Sequence, residues 1–167
     1  MRLSGSGVSI DLRPVRYQFP DLAAGDWHDL NWLVIAGEVE SLDGSWTFVD
    51  ACLLTREAAQ LGRWLSDAAH GLVAPSQANA EGWISPSCDF TEPNLAFSVE
   101  GREGGDVVIR VHFSLESEPP WCGEDVEMFQ FFLQCGLSGQ ALLSASEQWL
   151  GELIAFPERS EGKRQGQ

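Results

Sequence analysis

Asp26-Trp27-His28-Asp29 sets an imidazole between two carboxylates, the residue types that hold a divalent cation or pass a proton. Either chemistry needs partners at defined spacing, and no second cluster supplies them. His70 falls where a helix should end and faces its negative pole. His112 falls on the polar side of a strand, where a surface or hydrogen-bonded role is expected. Cys52, Cys88, Cys122 and Cys135 include no CxxC pair, so in a reducing compartment they read as small apolar residues or idle thiols. The chain has no Gly-x-Ser-x-Gly elbow, HExxH pair or phosphate-cradling glycine loop, and Gly104-Gly105-Asp106 reads as a turn. We assign no catalytic residue, metal ligand or cofactor, and binding is the expected role.

Charge says what would be bound. Ten Lys and Arg face twenty-five Asp and Glu, for a formal net charge of -15. No Lys or Arg lies between Arg16 and Arg56, or from His112 to Glu158, and both stretches are rich in acids. Such a chain repels nucleic acid and speeds the capture of basic partners. Within Glu116–Glu127, Trp121 follows two prolines and sits near Glu124, Asp125 and Glu127, an aromatic anchor with a charged rim. The competing reading folds Trp121 back over the sheet edge, because a large aromatic gains most by burial. Asp26 and Asp29 join Trp121, Glu124, Asp125 and Glu127 as candidate partner contacts.

These residues must be carried by a scaffold that the apolar pattern outlines. Val8, Ile10 and Leu12 alternate as a half-buried strand does, and Pro14 then marks an edge strand with a bulge or a break into two short strands. That edge could pair with a second copy of the chain. Asp21–Asp29 reads as a loop. Asn31–Glu40 and Trp46–Leu54 form a hairpin about Asp43-Gly44. Thr55 is expected to cap a helix whose stripe is Ala58, Leu61, Trp64, Leu65 and Ala68, with Gly71 ending it. Leu72–Pro86 reads as a loop. Leu95–Val99 and Val107–Leu115 alternate, which leaves Arg110, His112, Ser114 and Glu116 facing water or a second layer. Met128–Cys135 is expected as a sixth strand. A second helix follows, capped by Ser144 and Glu147 or starting earlier at Ser138, and Pro157 ends it.

The expectation is therefore an α+β fold, an antiparallel sheet of about six strands with two helices packed on one face. Trp27, Trp32, Trp46, Trp64 and Trp149 are placed in the core, and Trp83 is left open. Residues 1–159 are read as one domain. The polar end from Glu158 is expected to fray, with 160–167 disordered. Neither an apolar leader nor a membrane-spanning run is visible, so the cytoplasm is the expected compartment.

In order, several short segments carry a family likeness. They are Arg16-Tyr17-Gln18-Phe19-Pro20, Asp29-Leu30-Asn31-Trp32-Leu33 with Gly37, Gly44-Ser45-Trp46, and Asp50-Ala51-Cys52-Leu53-Leu54-Thr55 leading to Trp64-Leu65. Phe90-Thr91-Glu92-Pro93-Asn94-Leu95, Phe113-Ser114-Leu115-Glu116-Ser117, Pro119-Pro120-Trp121 and Phe156-Pro157 follow. The series spans about residues 8–159 and resembles the WapI-type family of bacterial immunity proteins. Ala51 stands where that family often has proline. The resemblance implies a cytoplasmic protein that binds and neutralises a polymorphic-toxin domain, in some cases a nuclease acting on transfer RNA, and implies no catalytic residues. A scaffold protein that binds some other basic partner or peptide would show the same charge.

Overall fold

The computed structural model describes residues 1–160. Two antiparallel meanders, each followed by a helix, make up the architecture. The first sheet takes β1 (Arg2–Gly5), β2 (Val8–Tyr17), β3 (Trp32–Ser41) and β4 (Gly44–Leu54) in chain order, and α2 (Thr55–Ala69) follows it. The second takes β5 (Leu95–Glu103), β6 (Asp106–Phe113) and β7 (Phe132–Ser138), followed by α3 (Gly139–Leu153). A one-turn helix, α1 (Trp27–Asn31), precedes β3. The α+β class and antiparallel pairing agree with the sequence reading. The strand count does not: there are seven strands in two sheets where about six in one sheet were expected.

β1 is the unexpected strand. Ser6 (φ 56°) and Gly7 (φ 78°) take left-handed angles at consecutive positions, the geometry of a two-residue hairpin turn. β1 thereby pairs back from Arg2↔Asp11 to Gly5↔Val8. It also brings the sheets together, because Gly5 approaches the Gly136 carbonyl so closely that a Cβ would overlap it. Gly136 N–H donates to Ser6 Oγ at 3.2 Å. At Pro14 the expected irregularity is present, since the β2–β3 register shifts between Pro14 and Arg16.

Both sheets and both long helices contribute to one continuous apolar cluster. It includes Leu3, Ile10, Leu12, Ile35, Phe48, Leu61, Leu65, Phe97, Ile109, Phe113, Leu142 and Trp149. The helices are keyed together by polar contacts that relieve buried donors. Trp149 Nε1 donates to the Ala58 carbonyl and Ser146 Oγ to the Gly62 carbonyl, both at 2.7 Å.

Local chemistry moved several expected boundaries. Leu54, not Thr55, is the N-cap of α2. The Glu57 carboxylate accepts from Leu54 N–H at 2.9 Å, while the Thr55 hydroxyl donates to Asn31 Oδ1 at 3.0 Å. α3 takes the earlier of its two expected starts, with Ser138 Oγ accepting from Ala141 N–H. β7 begins four residues later than expected, so Met128 lies outside it. Trp46, Trp64 and Trp149 are buried as expected, whereas Trp27 and Trp32 are half-buried and Trp83 is exposed.

On the polar face of β6 the second of the two expected settings holds for Arg110, His112 and Ser114, which are buried under a second layer of chain, while Glu116 is exposed. Arg110 donates to the Ser76 carbonyl at 3.1 Å and pairs with Glu100 at 3.2 Å. The chain end also departs from expectation. Arg159 bonds Asn31 and Phe19 and lies 3.5 Å over the Tyr17 ring, and Glu158 pairs with Arg56. The disorder expected for 160–167 falls, beyond Ser160, outside the described residues.

Candidate partner-binding surface

The segment after β6 leaves the sheet at Ser114, where a buried hydroxyl is already committed. Ser114 Oγ accepts from Phe129 N–H at 2.9 Å, tying the two ends of the 114–129 loop together. Ser117 Oγ accepts from Ser114 N–H at 3.1 Å and donates towards the Asn94 and Ser114 carbonyls. Trp46 Nε1 then donates to the Ser117 carbonyl at 2.9 Å. At the far end, Gln130 exchanges two side-chain bonds with Ile84, and His112 Nδ1 reaches the Phe129 carbonyl at 2.5 Å. Two non-glycine residues, Leu115 (φ 54°) and Phe129 (φ 67°), sit in the left-handed region where the loop enters and leaves. Both ends are therefore fixed and the middle projects.

That projection creates a groove of about 540 Å³ lined by Ser114, Leu115, Glu118, Glu124, Asp125, Val126, Glu127 and Met128. Three of the six expected contacts, Glu124, Asp125 and Glu127, thus meet in one place. A second cleft of about 430 Å³ adjoins it and shares Leu115. Asp29, Asp50, Glu92 and Glu116 line this cleft with Gln18, Phe19, Trp32, Ala51 and Asn94. Asn94, itself buried, donates to Glu116 Oε2 at 3.0 Å and approaches Asp50 Oδ2 at 3.4 Å. Among the described residues, neither lining contains a Lys or Arg. All ten residues of the second cleft come from five of the short segments that carry the family likeness.

The remaining expected contacts are placed differently. Trp121 is 45% exposed and packs edge-on against Trp46, ring centroids 5.6 Å apart, above Gly44. One side of the ring folds back, as the competing reading expects, and the other stays open. Asp26 lines neither cleft. It caps α1 by accepting from His28 N–H at 2.9 Å and also meets His28 Nδ1 at 3.0 Å. The backbone amide of His28, then its side chain, holds the Asp26 carboxyl below its ordinary range.

Leu115 and Met128 were missed as surface residues for an identifiable reason. Each continues an apolar run, so periodicity assigns it to a strand, but the chain has already left β6 at Leu115 and has not yet entered β7 at Met128. No local signal marks the change, because the hydroxyls of Ser114 and Ser117 cause it by bonding to distant partners.

One pair has the outline of catalytic machinery. Ser98 Oγ lies 2.8 Å from His112 Nε2, and the Phe129 carbonyl orients the ring from Nδ1. The bonding assigns the proton to Nδ1, so Nε2 accepts from the serine hydroxyl. Ser98 and His112 have no exposed surface, and burial lowers the imidazole pKa. Substrate cannot reach the hydroxyl, and the pair fastens the loop to the sheet. Among the described residues, no three His, Cys, Asp or Glu side chains are grouped so as to hold a metal ion. All four cysteines are free. Desolvation pushes the Cys88 and Cys135 thiols up to about 12 and raises Cys52 as well.

Compared with models of known protein families, residues 1–157 match the Immunity protein WapI-like family. A comparison with curated proteins finds no match.

Proposed function

The chain belongs to the WapI-like family of immunity proteins, and from that membership we propose that it neutralises a toxin domain by occluding it, with the two acidic clefts as its contact surface. Immunity proteins of this family generally act without catalysis. The observation that carries the reading is the convergence of eight carboxylates from separate segments on two clefts that share one exposed leucine and, among the described residues, contain no cation. Negative potential focused in concavities raises the capture rate of a basic protein and discourages nucleic acid. The toxin is accordingly basic, as a nuclease domain is where it holds nucleic acid. No described helix is long and apolar enough to cross a membrane. We place the encounter in the cytoplasm, where a nuclease would find its substrate.

Co-expression tests this directly. Where the gene beside this one encodes a toxin domain, cells producing that domain should stop growing, and supplying this chain should restore growth and yield a stable complex at low salt. Growth arrest that persists, with no complex recovered, would overturn the proposal.

A further inference from the structure

The groove between the Leu115–Ser117 turn and the following loop is lined by apolar as well as acidic side chains. Leu115, Val126 and Met128 are 50%, 37% and 49% exposed, and all three line it. Exposed large apolar side chains brought together in a concavity mark an interaction site rather than a solvated face. The same lining carries Glu118, Glu124, Asp125 and Glu127 and, among the described residues, no cation. One kind of side chain satisfies both kinds of lining at once, a long aliphatic stem ending in a positive charge. We propose that this groove seats a lysine or arginine side chain of the toxin domain, its methylenes on Leu115, Val126 and Met128 and its charged head among the carboxylates.

The proposal rests on the toxin-binding reading for the identity of the partner, but the chemistry of the groove does not. Charge complementarity selects the occupant. A purely apolar side chain would leave four carboxylates crowded and partly desolvated, and an acidic one would be repelled. A second copy of this chain, itself strongly acidic, is disfavoured for the same reason.

Two measurements test it. In the first, isotope-labelled protein is titrated with Nα-acetyl-arginine amide and separately with Nα-acetyl-norleucine amide, following backbone amide shifts. Arginine amide should move Ser114–Glu118 and Glu124–Met128, and norleucine amide should move them far less. The response should fall by at least about threefold in Leu115→Gly and in the double variant E124Q/E127Q, but not in D67N/E103Q, which removes two exposed charges elsewhere. Leu115→Gly is chosen because glycine adopts the left-handed angle at that position without steric cost. Shifts scattered over all acidic surfaces, or equal in every variant, would overturn the proposal.

In the second, the same variants are titrated with the toxin domain that the co-expression test pairs with this chain. L115G and E124Q/E127Q should each weaken binding at least about tenfold, and D67N/E103Q less than about twofold. A toxin that binds every variant alike would overturn the groove and leave neutralisation standing. A toxin that binds nothing, while arginine amide still shifts the groove, would support the groove and remove its assignment to toxin.

Discussion

His112 shows how one buried side chain sets the geometry of a distant surface. Its ring holds Ser98 on one side and the Phe129 carbonyl on the other, and Phe129 closes the loop that carries Glu124 and Glu127. Burial lowers its pKa below the ordinary 6.5. The unfolded chain therefore binds the proton first, and this residue's contribution to stability is present above about pH 6.5 and lost as the pH falls towards the folded value. The urea midpoint of the wild type should fall more between about pH 7.5 and about pH 5.5 than that of His112→Gln, in which carboxylate titration is unchanged. Equal slopes would contradict the assignment. The thiols make a second prediction at this scale. Three of them, Cys52, Cys88 and Cys135, are buried, and Cys122 is half-buried in the projecting loop. A disulfide reagent at mild alkaline pH should label Cys122 alone in the native protein and all four thiols in urea. Fast labelling of Cys52 or Cys135 in the native state would show that the core opens.

Elements transmit these constraints through close contacts that tolerate little change. Gly37 on β3 faces Phe48 on β4, and a Cβ there would overlap the ring. Gly37→Ala should cost roughly 1–3 kcal/mol, read from urea denaturation, through displacement of a core aromatic. Trp46 couples β4 to the loop by its bond to Ser117 and by edge contacts with Phe113, Trp121 and Phe131. Trp46→Phe should cost about 2 kcal/mol, because the Ser117 carbonyl loses its buried donor. It should also loosen the groove, seen as faster hydrogen exchange across Leu115–Ser117 than elsewhere. The same elements show what the sequence could reveal. Alternation in Val107–Phe113 and the stripe of α2 were legible because one face of each is built from apolar residues. The meaning of the opposite face was not, since a polar residue covered by another segment looks identical to one in water. β1 escaped notice because Arg2–Gly5 is too short for periodicity to register, although Ser6-Gly7 was a turn signal in plain view. The start of β7 was illegible because Met128–Leu133 is apolar almost throughout, and its first turn is set by Ser114 and His112 across the fold.

For the whole molecule, the net charge is -15, and many of the acids lie in the two stretches that have no Lys or Arg. Glu124, Asp125 and Glu127 were foreseeable as a surface from composition alone. Their union with Asp29, Asp50, Glu92 and Glu116 around Leu115 was not, since it depends on five separate segments meeting at one end of two sheets. A surface of this kind predicts a contact whose speed depends on ionic strength, because steering acts at long range and salt screens it. Short-range packing on Leu115 and Met128 would instead govern how long the complex lasts.

The most direct test is therefore the association rate constant between this chain and the toxin domain that co-expression pairs with it, measured by stopped flow from low to high salt. The account predicts a rate that falls at least about tenfold from about 0.02 M to about 0.5 M salt, with the dissociation rate changing far less. A rate indifferent to salt, or the absence of any complex at low salt, would contradict it.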